Sequence, residues 1–210
     1  SANSALSPSE PTEEVGSDRY TVDFEANTGK SNRWWEMGAV VGETVVYGDR
    51  SDAADHLLTY TTPPLERDLE ITGYPVVTLY VTSTHEDAAF FVYLEDIDER
   101  GRVFYVTEGQ LRALHRKVSS GPSPYRLQVP YHSFLEEDAM PLVPGEVAEI
   151  SFGLHPTSVL IRRGHRIRVG IAGHDQGTFV RIPAEGTPEF TVARNRIHAS
   201  WIDLPVLQGG

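Results

Sequence analysis

Serine, histidine and aspartate are all present in the sequence, and together they could form the catalytic triad of a serine hydrolase. Hydrolases of the α/β type hold the serine in a G-x-S-x-G turn, which exposes the nucleophile beside backbone N–H groups that stabilise the oxyanion. The two nearest matches are 121–125 (GPSPY) and 149–153 (EISFG), and each lacks one glycine. The first is a proline-flanked loop and the second alternates as a strand does, so we predict no catalytic residue in this chain.

Two further patterns approach ligand-binding motifs without completing them. Residues 29–31 (GKS) match the end of a phosphate-binding loop, but the position that requires its first glycine holds Phe24. Residues 96–101 (DIDERG) are spaced like the start of a calcium loop, yet Thr107 stands where a bidentate glutamate is required. A hairpin turn explains this stretch better, because Asp and Gly suit turn backbones. A structural calcium ion stays open as the minority alternative.

The histidines do not have the spacing of metal ligands. The sequence holds eight of them but no HExxH motif, and it contains no cysteine. We therefore predict no metal and no cofactor. His174 and Asp175 follow an alternating strand, at the rim where the loops of a sandwich gather. They could orient or bind a ligand, and the alternative is a solvent-exposed turn.

Trp34 and Trp35 are adjacent, so in an extended segment they point to opposite sides. One could fill a core while the other faces outward. Exposed tryptophan is typical of carbohydrate stacking and of protein interfaces. We favour an interface or core role, because the chain shows no further platform of spaced aromatic residues.

Most of the apolar periodicity in the chain has a period of two, which is the pattern of half-buried strands. It is clearest over 76–82, 146–154 and 165–171. The run 88–94 is apolar on both faces and predicts a central strand that is covered on both sides. Residues 98–101 then predict a four-residue hairpin loop before a further strand at 103–106.

Helix signals are weak. The best candidate is 132–138, about two turns between prolines at 130 and 141, and a second is a single turn over 156–159. About ten strands with little helix and frequent Gly and Pro turns predict an all-β fold, an antiparallel β-sandwich. A parallel α/β sheet is excluded because the crossover helices it needs are missing.

The composition of the chain excludes some classes of binding partner. The chain has 18 Lys and Arg against 30 Asp and Glu, a net charge of −12, which argues against nucleic-acid binding because phosphate neutralisation needs a basic face. No apolar run approaches the about 20 residues of a membrane span, so we expect no membrane partner. With 40% hydrophobic residues the chain can bury a core. The absence of cysteine fits a reducing compartment, and we expect a cytoplasmic location.

The first residues differ in composition from the rest. Residues 1–18 are rich in Ser, Pro and Glu and carry little to bury, which predicts a linker or disordered arm. Short apolar runs punctuated by Gly, Pro and Asp begin at Tyr20, so we predict a single sandwich domain over 19–210. A linker-like arm favours a cut between two domains over a standalone protein.

Several stretches carry a resemblance to a known family. They are 58–65 (LTYTTPPL), 70–75 (EITGYP), 107–113 (TEGQLRA), 144–146 (PGE) and 164–169 (GHRIRV). In this order and spacing they resemble the C-terminal non-catalytic domain of X-Pro dipeptidyl-peptidases and cocaine-esterase-like (CocE/NonD) hydrolases. The resemblance extends over residues 19–207.

This resemblance implies a jelly-roll sandwich, similar to galactose-binding-like domains, that packs on an α/β-hydrolase domain near its active-site mouth. The family's Ser-Asp-His triad lies in the hydrolase domain, so this chain would be an accessory domain without a triad. Its partner would be that hydrolase domain, and an exposed docking patch would also favour a homo-oligomer. The interface or pocket-edge candidates are Trp34, Trp35, Tyr47, His174, Asp175 and Phe179. The alternative function is a carbohydrate-binding or protein-interaction module.

Overall fold

The computed structural model describes residues 3–29, 34 and 47–207. Nearly all the regular structure in this part of the chain is β. The strands in chain order are β1 (Asn3–Ala5), β2 (Ser17–Thr21), β3 (Leu58–Thr61), β4 (Leu69–Gly73), β5 (Val76–Ser83), β6 (Ala89–Ile97), β7 (Val103–Arg112), β8 (Ala148–Gly153), β9 (Thr157–Ile161), β10 (Arg166–Ala172), β11 (Glu189–Ala193) and β12 (Trp201–Asp203). Short 3₁₀ turns cover Ser51–His56, Ala113–His115 and Glu136–Asp138.

Two sheets face each other. The first sheet has the strand order β1-β3-β10-β6-β7. The second sheet has the order β12-β5-β11-β2, with β8 pairing along the other side of β5. A separate two-stranded ribbon joins β4 and β9. Every pairing between these strands is antiparallel except that of β1 with β3, which is parallel.

The hydrophobic core lies between the two sheets. Alternate residues of β6 point into it, and Phe90 and Leu94 there are fully buried. Phe90 packs on Phe190 of β11 with ring centroids 4.6 Å apart, so one aromatic pair joins the two sheets. Full burial of such a side chain contributes about 1.5–3 kcal/mol. The sheets are held together by apolar burial, as alternation along the strands requires.

The strands predicted over 76–82, 88–94, 103–106, 146–154 and 165–171 correspond to β5, β6, β7, β8 and β10. The predicted central strand is confirmed, since β6 lies between β10 and β7 and is buried on both faces. The hairpin at 98–101 is also confirmed. The Asp98 N–H donates to the Arg102 carbonyl at 3.0 Å, and Gly101 has a φ of +82°, which favours glycine.

Both helix predictions are wrong. Over 132–138 only Glu136–Asp138 form a 3₁₀ turn, and Phe134 has a φ of +56°, which no right-handed helix accommodates. Residues 156–159 fall largely within β9. This stretch contains β-branched residues and pairs with β4, and that tertiary pairing overrides a local turn preference.

Two parts of the stretch 1–18, predicted as an arm, lie in strands. Asn3–Ala5 form β1 and run alongside residues 59–61 of β3, and β2 already begins at Ser17. The edge of β3 offers unpaired backbone groups, and a polar segment can satisfy them without contributing much to the core.

The fold class is confirmed as an all-β sandwich, and the jelly-roll connection remains a prediction. No helix in the described part of the chain is long and apolar enough to cross a membrane.

Candidate functional site

The face of the first sheet that points away from the sandwich core is polar as well as aromatic. From β6 it carries Phe91, Tyr93 and Glu95, which alternate with the core-facing residues and are all buried. Three segments pack over them, 22–29, 47–57 and 174–182, which we call the loop layer. The outer-face cluster comprises the residues that join this layer to the sheet: Thr28, Arg50, Phe91, Tyr93, Glu95, Arg168 and Asp175.

Asp175 connects two parts of the loop layer to the sheet. Its carboxylate accepts hydrogen bonds from the Tyr93 hydroxyl at 3.1 Å and the Thr28 hydroxyl at 2.5 Å, and from the Thr28 N–H at 3.2 Å. Burial raises the pKa of Tyr93 well above its usual value, and the charge of Asp175 raises it further. Tyr93 therefore stays protonated and acts as a donor to the buried carboxylate.

Glu95 is a fully buried carboxylate on the same face. Its Oε2 accepts from Arg168 Nε at 2.6 Å, while its Oε1 lies 3.6 Å from Arg50 Nε. Within the described residues, Oε1 has no hydrogen-bond partner. Two guanidinium groups thus compensate one buried charge, which a buried ion pair needs because desolvation of an unpaired carboxylate is costly.

Arg50 also interacts with two aromatic rings. Its guanidinium lies 4.8 Å from the centre of the Tyr93 ring and 5.6 Å from that of Tyr105. Tyr47, one of the interface candidates, stacks on Tyr105 with centroids 4.8 Å apart and an interplanar angle of 12°. Cation–π contacts of this kind strengthen as water is excluded, so this part of the loop layer is fixed by directional contacts.

A chain of aromatic contacts continues from β6 to Trp34. Phe91 packs on Phe179 at 4.9 Å, and Phe179 contacts Trp34 edge-to-face at 5.5 Å. Trp34 also packs against the His155 ring at 5.2 Å. Trp34 and Phe179 are half-buried, so each ring combines packing inside the protein with some exposure to solvent.

His174 lies beside Asp175 in a buried position, so the pair is not a solvent-exposed turn. Only 5% of His174 is exposed, and its ring packs on Phe24 at 5.3 Å. Burial lowers the pKa of His174, with the charge of Arg181 adding to this and that of Asp175 opposing it. Arg181 itself lies over the Phe24 ring at 3.9 Å, so His174 belongs to a packed layer in which its neutral form is favoured.

Four of the six predicted residues belong to the loop layer, and a fifth, Trp34, contacts it through Phe179. Trp34 and Phe179 are in direct contact, Phe179 donates its N–H to the Asp175 carbonyl at 3.0 Å, and His174 precedes Asp175. Tyr47 joins them through Tyr105 and Arg50. The sixth residue, Trp35, lies outside the described residues.

The sequence-based interpretation missed the charged centre of this layer. Tyr93 stands at an outward position of the run 88–94, which the sequence pattern describes only as apolar on both faces, and Glu95 lies just after that run. A glutamate in a strand without a solvent-facing side must be paired, and that was the available signal. The partners Arg50 and Arg168 could not be identified, because 95, 50 and 168 are distant in sequence.

The described residues do not assemble a hydrolytic site. His56 contacts Asp23 at 2.6 Å and His165 contacts Asp96 at 2.9 Å, but within the described part of the chain neither imidazole hydrogen-bonds a serine. A serine triad requires that second contact.

The described part of the chain also contains no group of three or more His, Cys, Asp or Glu that could hold a metal. The Asp98 carboxylate of the calcium-like stretch accepts from the N–H groups of Arg100 and Arg102 and from the Arg102 side chain. This carboxylate therefore stabilises the hairpin turn.

Comparison with known proteins shows which family has this fold. Residues 14–201 match the family described as the X-Pro dipeptidyl-peptidase C-terminal non-catalytic domain. The chain belongs to this family. A "Putative serine esterase" of Mycobacterium tuberculosis is 53% identical over 208 residues, which cover 99% of this chain and 33% of that protein. A cocaine esterase of Rhodococcus is 27% identical over 166 residues, covering 73% of this chain and 26% of the esterase.

Solved structures show the same fold. An aminopeptidase from a marine sediment Thaumarchaeota archaeon superposes with a TM-score of 0.74 at 18% identity, over 99% of this chain and 36% of that one. An α-amino acid ester hydrolase gives 0.68 at 20% identity, over 92% and 33%. The chain thus spans about a third of the length of the relatives it matches. The predicted family, a non-catalytic C-terminal domain of CocE/NonD-type hydrolases, is confirmed.

Proposed function

We propose that this chain is the accessory domain of a serine hydrolase, that it packs on an α/β-hydrolase domain, and that it helps shape the mouth of that domain's active site. The proposal rests on how small a share of its relatives this chain matches. A family described as non-catalytic matches residues 14–201, while the relatives named as esterases are about three times as long as this chain. The catalytic groups would then belong to the part of the parent that lies outside this chain.

The site geometry supports a positioning role. The outer-face cluster joins three loop segments to one rigid sheet through directional contacts, among them Asp175 to Tyr93 at 3.1 Å and Glu95 to Arg168 at 2.6 Å. A wall beside a substrate pocket must keep its shape, and directional buried contacts hold a loop more uniquely than apolar packing does. The half-buried rings of Tyr47 and Phe179 in the loop layer, and that of Trp34 beside it, are then the parts that would contact the hydrolase.

The surface has the mixed composition of an interface between domains. Interfaces between domains of one polypeptide bury roughly 600–1,500 Å² and are more polar than obligate interfaces. The half-buried rings of Trp34, Tyr47 and Phe179, together with the exposed Arg181, have this mixed character. In the isolated chain the same surface would be exposed and would favour self-association, which gives the proposed homo-oligomer a physical cause.

Three proteins test the proposal: the full-length parent, the parent without this domain, and this chain alone. Each is assayed with p-nitrophenyl acetate and an X-Pro-p-nitroanilide, with and without a serine-directed phosphonate. We expect inhibitable turnover from the full-length protein and none from this chain. The shortened parent should lose activity or change its preference between the two substrates, and this chain added in trans should restore part of the loss.

Inhibitable turnover by the isolated chain would overturn the proposal, since the chain would then contain its own nucleophile. A shortened parent with unchanged activity on both substrates would also contradict a role at the active-site mouth. A parent that no longer folds would leave the in-trans mixture as the deciding measurement, and recovered activity there would support docking.

A further inference from the structure

A cavity of about 340 Å³ lies between the two sheets, away from the outer-face cluster. Residues of β3, β5, β10, β11 and β12 line it together with the N-terminal segment. Its floor is apolar and buried, and it consists of Val77, Leu79, Val169, Ile171 and Val192. These residues come from both sheets, so the cavity is a gap in the core itself.

The N-terminal segment crosses this gap. We call residues 7–12 (SPSEPT) the strap, and they are held at both ends. On one side the Leu6 N–H donates to the Thr61 carbonyl at 3.0 Å, and on the other the Arg196 N–H donates to the Glu13 carbonyl at 2.8 Å. Within the residues that the structure describes, no hydrogen bond ties the strap to either sheet. The strap therefore covers the cavity without filling it.

The charged residues around the cavity limit which head groups a ligand could have. Glu10 and Glu13, two acidic residues, are among the residues that line the cavity. Arg194 is the one cation among the described residues that line the cavity, and its Nε donates to the Asp18 carboxylate at 2.8 Å. An anionic head group would meet like charges and an arginine already paired, so the opening favours an uncharged or cationic head.

We propose that this cavity binds a small amphiphile whose body is a single ring or a short hydrocarbon chain and whose head is uncharged or cationic. The volume suits such a body, since an apolar cavity of about 150 Å³ accepts benzene and ligand pockets begin near about 300 Å³. Binding buries apolar surface against an apolar floor that is already formed, so it costs little reorganisation of the sandwich. The site is separate from the proposed hydrolase-docking surface.

Three probes with the same eight-carbon body test the proposal: 1-octanol, octylammonium and octanoate. Methyl ¹H–¹³C spectra of this chain are recorded during titration with each probe. We expect saturable shifts at Leu79 and Val169 with octanol and octylammonium, and binding of octanoate weaker by about fivefold or more because of the acidic opening. The Leu57 and Ala172 methyl groups, on the outer face of the first sheet, should not shift.

Two kinds of variant sharpen the test. Ala5 is exposed to solvent and lines the cavity, so Ala5→Phe should fill the opening and weaken octanol binding at least about tenfold. Ala184→Phe is the matched control at an exposed position that does not line the cavity, and it should leave binding unchanged. The double variant Glu10→Gln/Glu13→Gln should bring octanoate close to octanol.

Absence of a saturable shift with every probe, up to its solubility limit, would overturn the proposal. Shifts confined to Leu57 and Ala172 would also overturn it, because they would place the probe on the outer face. Octanoate that binds as tightly as octylammonium would overturn the assignment of the head group. Equal binding by the Ala5→Phe and Ala184→Phe variants would show that the cavity is not the site.

Discussion

Both faces of β6 are buried, but they are stabilised in different ways. The core-facing residues Phe90 and Leu94 are apolar and make contacts that depend on shape alone. The outward residues Tyr93 and Glu95 are equally buried, but they are polar and need particular partners at particular distances. Apolar packing sets how strongly the sandwich holds together, and the directional contacts set where the loop layer lies.

The comparison also predicts different kinds of damage. Removal of a core side chain leaves a cavity, whose cost depends on how well the surroundings collapse. Removal of one partner on the outer face leaves a charge or a donor without compensation in a place that water does not reach. Truncations on both faces of one strand should therefore lower the stability by different mechanisms, and only those on the outer face should also displace the loop layer.

Loss of the buried carboxylate should have the largest effect. Glu95→Ala leaves Arg168 buried without its partner and should lower the free energy of unfolding by about 3–5 kcal/mol, measured by urea denaturation. The paired replacement Glu95→Leu/Arg168→Met should recover much of this loss. Glu189→Ala removes a well exposed ion pair with Arg19 and should change stability far less. A loss no larger than that of Glu189→Ala would contradict the role we assign to Glu95.

The core face of the same strand should show a comparable or slightly smaller loss. Phe90→Ala removes one ring of the pair that joins the sheets and should cost about 3–5 kcal/mol, whereas Phe90→Leu should cost less because it leaves a smaller void. Tyr125→Ala is the control, because that ring is 66% exposed. The near-ultraviolet circular dichroism of Tyr93 and Tyr105, whose rings both contact Arg50, should survive Phe90→Leu. Its loss would mean that the two faces are not independent.

A single hydrogen bond on the outer face should have a smaller effect. Tyr93→Phe removes the hydroxyl that donates to Asp175 and should cost about 1.5–3 kcal/mol, the usual range for a hydrogen bond to a charged group. Asp175 keeps both contacts from Thr28, so the fold should persist. Hydrogen exchange should show faster opening of residues 174–182 while the core-facing strands stay protected. Uniformly faster exchange would argue against a role confined to the loop layer.

The smallest effects should appear as opposite dependences on pH. Burial lowers the pKa of His174 below its usual 6.5, so at mildly acidic pH the unfolded chain binds a proton that the folded chain resists. This makes stability fall as the pH drops below 6.5. The hydrogen bond with Asp23 raises the pKa of His56, so its stabilisation is complete below 6.5 and disappears as the pH rises through the raised value.

The two histidine variants separate these contributions. His174→Gln should reduce the loss of stability between pH 7.5 and 5.5, and His56→Gln should increase it, both measured by urea denaturation at each pH. If both variants moved the pH dependence in the same direction, the burial of His174 or the pairing of His56 would be wrong.

Local patterns were sufficient to predict the central strands. Alternation along 76–82 and 165–171 is a property of the strand alone, so β5 and β10 could be placed without knowledge of their partners. The elements that were missed depend on partners instead. β1 exists because β3 has a free edge, and β9 exists because β4 lies beside it, and neither partner can be identified from the local sequence.

The candidate site follows the same division. Aromatic residues and the His174–Asp175 pair could be selected by residue type, and the structure gathers the described ones in or beside the loop layer. The charged centre could not be predicted, because the pairing of Glu95 with Arg168 and Arg50 depends on the register of β10 against β6 and on the path of a loop. Residue type was therefore enough to select the aromatic residues around the site. The ion pairs of Glu95 at its centre depend on strand register, which the local sequence does not give.

The parallel pairing of β1 with β3 has a consequence for how this protein behaves at high concentration. An uncovered strand edge recruits edges from other molecules and begins aggregation. The three residues of β1 protect the backbone of 59–61 from such recruitment. The region that matches the family begins at residue 14, so a chain trimmed to that boundary would lose this protection. The strap would be lost with β1, so the apolar floor of the cavity would be uncovered as well, and the trimmed chain would be prone to precipitate.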